Sequence, residues 1–145
     1  MKFKKESESA KKFNVIITWQ DHIPKKLTYQ NYLSQGIIYT VYYGDLTTSS
    51  INQTGKEILN LIKQIQTAGK PVLILSDITK IGKINLGAKK TGVGLIKNLD
   101  YQKLAIVGVN FITEQLVKAV VTAPGVGFKV RLFDNQKDAR KWLKS

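Results

Sequence analysis

The sequence predicts an α/β domain, a mixed and mostly parallel sheet of about five or six strands with four helices packed against it. Three observations lead there. From residue 36 to the end, strand-type and helix-type patterns alternate. Two short runs, PVLILSD at 71–77 and KLAIVGV at 103–109, are apolar almost throughout, as strands buried on both faces are. The chain has 145 residues, of which 43% are hydrophobic and 23% charged. That is enough to bury one core and leaves little room for a second.

The elements follow in order. Residues 1–12, rich in Lys, Glu and Ser, are expected to form a mobile basic tail ahead of a domain spanning 13–145. FNVIITWQ at 13–20 alternates like a half-buried strand, DHIPKK at 21–26 reads as a loop, and LTYQNYL at 27–33 fits a strand or a helical turn. IIYTVYY at 37–43 puts Ile37, Tyr39, Val41 and Tyr43 on one face, and Gly44-Asp45 is expected to end that strand. The hydroxyls of residues 47–50 offer N-caps for a helix whose Ile51, Ile58, Leu61, Ile62 and Ile65 recur at helical spacing. It should stop at Gly69-Lys70-Pro71.

After strand 71–77, residues 79–83 read as a turn. A helix follows over 85–99 with Ala88, Leu95, Ile96 and Leu99 inward, although Gly92 and Gly94 weaken it by roughly 1 kcal/mol each. After KLAIVGV comes a helix with Ile112, Leu116, Val117, Val120 and Val121 as its stripe, ending near Ala123-Pro124-Gly125. FKVRLF at 128–133 is the last strand. Asp134 or Asn135 caps a final helix carrying Ala139, Trp142 and Leu143. Residues 13–33 are expected to add one or two antiparallel strands at an edge.

Composition excludes several classes of chemistry. The chain has no cysteine, which removes disulfides, thiolate metal sites and cysteine nucleophiles. The opening MKFKKESESAKKF lacks the ~7–15-residue apolar stretch of a secretion signal. No apolar run approaches the ~20 residues of a membrane span. A cytoplasmic location is the expectation. The net charge of +13 favours anionic partners: an acidic protein or another anionic ligand, with nucleic acid or an anionic membrane surface as non-specific alternatives. A purely solubilising lysine surface is the competing explanation. Only Arg131 and Arg140 supply guanidinium groups, which weighs against sequence-specific DNA readout.

No catalytic set, metal site or cofactor motif is legible. Gly82 and Gly87 have the spacing of a phosphate loop, G-x-x-x-x-G-K-S/T, but Ala88 takes the lysine position and Lys89 the hydroxyl position. One residue along a helix rotates a side chain by about 100°, so the motif fails. Gly92-Val93-Gly94 lacks the third glycine of a dinucleotide fingerprint and reads as packing. His22 reads as an exposed loop histidine. Asp77 ends a buried strand at the edge where ligands of open α/β sheets sit, and is expected to shape the turn at 79–83 through hydrogen bonds. The candidate binding surface is Asp77, Thr79, Lys80, Lys83, Asn85, Lys89 and Lys90, with Lys97 on the same helix side.

Four segments in this order, YYGDLT at 42–47, PVLILSDI at 71–78, LAIVGVN at 104–110 and RLFDNQKDARKWL at 131–143, resemble a STAS-type domain. This is the anti-sigma-factor-antagonist or SpoIIAA-like fold, and its divergent relatives of mostly unknown function are the nearer resemblance. It implies a single STAS-like domain and a non-enzymatic binding or regulatory module. In the antagonists a serine at the start of the helix after the Asp-ending strand is phosphorylated by a partner kinase. Here Asn85-Leu86-Gly87-Ala88 stand at that place, and neither Leu86 nor Gly87 has a hydroxyl. Thr79 and Thr91 are the nearby hydroxyls and are displaced from it. The phosphoswitch is therefore expected to be absent. A small-molecule enzyme is the third reading, after an electrostatic binder of nucleic acid or anionic lipid.

Overall fold

The computed structural model describes residues 28–111 and 113–145. The expected tail, the strand expected over 13–20, the loop expected around His22, and Ile112, expected in the third helix, lie outside the described residues. Strand β1 (Tyr29–Ser34) pairs antiparallel with β2 (Ile37–Leu46), which resolves the ambiguity of segment 27–33. Gln35 and Gly36 between them have φ of 52° and 80°, the left-handed pair that a two-residue hairpin turn requires. Then come helix α1 (Thr48–Thr67), β3 (Leu73–Ile84), α2 (Leu86–Asn98), β4 (Lys103–Val107), α3 (Glu114–Val121), β5 (Val130–Phe133) and α4 (Gln136–Leu143).

Strands lie in the order β1-β2-β3-β4-β5, with β2 to β5 parallel. Because each crossover steps in the same direction, right-handed connections place α1, α2 and α3 on one face. That face holds the larger core, where Ile38, Tyr42, Ile74 and Ile106 of the sheet meet Ile58 and Ile62 of α1 and Val117 and Val120 of α3. Each fully buried aliphatic side chain contributes roughly 1.5–3 kcal/mol. After β5 no strand remains to be reached, and α4 packs on the other face with Ala139 and Leu143 against Leu75, Ala105 and Val107. β2, β3 and β4 are therefore covered on both sides, which is why their sequences run apolar without strict alternation.

Helix ends follow local chemistry. Thr47 and Ser50 form a reciprocal capping box at α1, with Ser50 N–H donating to Thr47 Oγ1 at 3.1 Å and Thr47 N–H to Ser50 Oγ at 2.9 Å. Asn85 caps α2 by accepting from Ala88 N–H at 2.7 Å. Of the two residues expected at α4, Asn135 is the cap, accepting from Asp138 N–H at 2.8 Å.

Four boundaries differ from expectation. β2 does not end at Gly44-Asp45, and β3 does not turn at 79–83; the two continue together to Leu46 and Ile84. Val41 pairs with Asp77 but Tyr43 with Lys80, so β3 uses three residues where β2 uses two. The same happens again between the pairs Gly44–Ile81 and Leu46–Ile84. Each bulge adds one residue and converts the strand period of two into three. Ile78, Ile81 and Ile84 thereby share the inner side, while Lys80 and Lys83 turn outward. With unbroken alternation Lys80 would have fallen on the side of Ile78. Gly82 makes the second bulge possible, since a Cβ there would stand 2.5 Å from Asp45 Oδ1. That carboxylate accepts from Lys83 N–H at 2.7 Å and replaces a missing ladder bond.

β4 stops at Val107, two residues short of expectation. Gly108 has φ of 89°, and a Cβ on it would lie 2.8 Å from Thr79 Cα, so the chain leaves the sheet directly over β3. The last strand begins only at Val130, because Gly127–Lys129 form a 3₁₀ turn that leaves Phe128 83% exposed.

Candidate functional site

The sequence-derived surface divides between the two sides of the sheet. Asp77 sits where β4 ends, opposite Val107, and faces α4. Its Oδ1 accepts from Thr79 N–H at 3.0 Å and its Oδ2 from Gln136 Nε2 at 2.9 Å. Gln136 Oε1 in turn accepts from Arg140 Nη1 at 3.2 Å. Burial works against ionisation of Asp77. The Thr79 hydroxyl and N–H, the Gln136 amide and the charge of Lys80 outweigh it and hold the carboxyl below its ordinary range. Asp77 is thus tied to β3 and α4, and both its oxygens have partners.

Lys80 and Lys83 stand on the outer side of the bulged β2–β3 extension and are exposed. Asn85 follows, with its side chain committed to the α2 cap. Gly82 is inside β3, and Gly87 is in the first turn of α2, where a Cβ would meet Thr48 Oγ1 at 2.8 Å. No loop runs between those glycines for a phosphate to enter.

α2 brings Lys89, Lys90 and Lys97 together. All three line a surface groove of about 470 Å³ between α2 and α3, whose floor includes Val93, Gly94, Leu116 and Ala119. Among the described residues, the ammonium groups of Lys80, Lys83, Lys89, Lys90 and Lys97 donate no hydrogen bond and form no ion pair. The α3 wall escapes sequence reading because it is contributed from about 20 residues further along the chain. Gly94 was the available signal, a helix-weakening residue in the middle of a helix.

A second feature lies within the core. Between the sheet and the three helices is a cavity of about 80 Å³, bounded by Ile58, Ile78, Leu95 and Val117 and carrying four hydroxyl-bearing residues, Thr40, Tyr42, Ser76 and Tyr101. Thr40 Oγ1 and Ser76 Oγ are 2.7 Å apart and satisfy one another. Burial pushes the Tyr42 phenol up, and the hydroxyls of Thr40, Thr54 and Ser76 offset this only in part. Tyr42 is therefore neutral and serves the core.

Among the described residues there is no cluster of three His, Cys, Asp or Glu side chains able to hold a metal ion, and no helix is long and apolar enough to cross a membrane. No curated protein matches the sequence. Solved structures do match. An anti-sigma factor antagonist from Mycobacterium paratuberculosis superposes with a TM-score of 0.60 at 12% identity, covering 84% of this chain and 97% of the other. An uncharacterised protein with a SpoIIAA-like fold from Shewanella loihica gives 0.52 at 21% identity over 79% and 91%. The anti-sigma factor antagonist SpoIIAA in its unphosphorylated form gives 0.55 at 12% over 81% and 98%. At these identities the likeness is one of fold: the five described strands and four helices form the STAS-type architecture. The SpoIIAA-like family model matches residues 37–144, from the first residue of β2 to the residue after α4, and by that match the chain belongs to the SpoIIAA-like family.

Proposed function

We propose that the chain is a non-enzymatic regulatory module that works by binding a protein, and that an acidic or otherwise anionic partner engages Lys80, Lys83 and Asn85 at the end of β3 together with Lys89 and Lys90 of α2. One observation carries the reading: these lysines stand on a strand and a helix and their ammonium groups form no ion pair or hydrogen bond among the described residues, although Lys80 is near enough to Asp77 to favour its charge. Unpaired charge of one sign on a fixed scaffold steers and orients a partner of the opposite sign. Solved relatives described as anti-sigma factor antagonists support a protein-contact role. The start of α2, Asn85-Leu86-Gly87-Ala88, offers no serine, so control by phosphorylation there is not part of the reading.

Two features favour binding over catalysis. A sheet wound in one direction has no topological switch point, the crevice where open α/β enzymes hold substrates. The carboxylate where β4 ends, Asp77, is occupied by Thr79 and Gln136. Cell extract passed over wild type and over the Lys80→Glu/Lys83→Glu/Lys89→Glu/Lys90→Glu variant tests the proposal. The expected result is an acidic protein held by wild type, lost from the variant, and released by salt of ~1 M, where the screening length is ~3 Å. Identical partners on both columns overturn the surface. Steeply salt-dependent retention of a random oligonucleotide in place of protein favours the nucleic-acid reading.

A further inference from the structure

We infer that the groove between α2 and α3 seats an amphipathic helical segment of an acidic partner protein. The inference rests on the protein-binding reading above and adds the subsite and the form of the ligand. In α2, Leu86, Lys90, Val93 and Lys97 recur at i, i+4, i+7 and i+11 and so lie along one line of the helix surface. They span 11 residues, or about 17 Å at 1.5 Å per residue, room for about three turns of a second helix. Leu86 at one end is 66% exposed.

Two of the residues lining the groove, Gly94 and Ala119, are small. A Cβ on Gly94 would meet nothing within 4 Å, and Ala119 faces it from α3. Val93 and Leu116, both half-buried, make the floor apolar. Lys89, Lys90 and Lys97 stand along the groove, and among the described residues no acidic one lines it. An apolar trough with positive charge beside it matches a helix that presents a ridge of leucine-like side chains flanked by carboxylates. A bilayer favours a broad set of protruding apolar side chains; here Leu86 is the one large apolar lining residue that is exposed, while Val93 and Leu116 are half-buried between two helices, which suits an inserted ridge.

The test uses the 145-residue chain and a labelled synthetic helix of about 15 residues with Leu at i, i+4 and i+7 and Glu on both flanks, followed by fluorescence anisotropy at low salt. Two control peptides replace Glu by Lys or scramble the leucines. Gly94→Leu fills the trough without changing charge, and since Leu is the better helix former the fold is expected to be retained. Leu86→Ser, on an exposed side chain, is a second probe that leaves the core alone. The expected result is binding of the Glu peptide alone, weakened about tenfold or more by Gly94→Leu and several-fold by Leu86→Ser. Binding lost on Lys89→Glu/Lys90→Glu but indifferent to both Gly94→Leu and Leu86→Ser overturns the groove and leaves the lysine edge as the protein contact. No peptide binding, with Gly94-sensitive capture by phosphatidylglycerol vesicles, overturns it in favour of a membrane surface. Failure of the peptide together with identical partners in the extract experiment removes the protein-binding reading as well.

Discussion

Along β3, residues Leu73–Asp77 and Ile78–Ile84 are built by different means. The first stretch pairs on both sides, with Ile37–Val41 and with Lys103–Val107, in unbroken register. Its apolar side chains are 8% exposed or less, and Leu75 is fully buried. The second stretch pairs only with β2 among the described residues, through two bulges, and keeps Ile78 and Ile81 inside while Lys80 and Lys83 face out. A strand with two neighbours and two covered faces has no side left for a functional group. Where β4 ends, one edge and one face become free among the described residues, and the candidate surface begins there.

The largest effect that sharpens this contrast is expected at Leu75. Leu75→Ala opens a hole between the sheet and α4 and should destabilise by about 2–5 kcal/mol, read from urea unfolding. Lys83→Ala should stay within about 0.5 kcal/mol. Equal losses at both positions would mean that the extension is as structural as the core. A smaller effect is expected at Gly82→Val. Its Cβ would press on Asp45 Oδ1 and disturb the bond to Lys83 N–H, a loss of about 1–3 kcal/mol. Amide exchange should locate the damage: protection falls at Lys83 and Ile84 while Leu73–Leu75 keep theirs. Loss spread evenly along β3 would break the division into two stretches.

The same division separates what the sequence discloses from what it hides. The parallel core was legible because burial on both faces leaves an apolar run between breakers, and because α1 and α4 carry their caps in Thr47, Ser50 and Asn135. The extension was not. Ile78, Ile81 and Ile84 repeat every three residues, a period that belongs to neither helix nor strand, and Gly82 and Asp45 are residues of turns when seen locally. What makes them strand is a contact across 38 positions, Asp45 to Lys83. The candidate surface was legible as a set of lysines. That Asp77 is held by Thr79 and Gln136, and that α3 supplies the second wall of the groove, depends on topology and not on local pattern.

The smallest predicted effect concerns the boundary residue itself. Asp77 is held below its ordinary carboxyl range: burial opposes its charge, while the Thr79 hydroxyl and N–H, the Gln136 amide and the charge of Lys80 favour it more. A carboxyl whose folded value is depressed contributes stability above its unfolded value, near pH ~3.9, and loses that contribution as pH falls through the folded value. Asp77→Asn removes the titration and leaves an amide that cannot accept from Gln136 in the same way. Thermal unfolding followed by circular dichroism from about pH 6 down to about pH 2 should show wild type ahead of the variant at the upper end. The two should converge toward the lower end. The gap should be modest, because Asp77 remains partly open to water and its interaction with Lys80 is screened. Parallel curves across the range would mean that the link from Asp77 to Gln136 does not fasten α4 to β3. The change from closed core to open edge would then rest on β4 stopping at Val107 alone, and Asp77 would return to the pool of groups free to meet a partner.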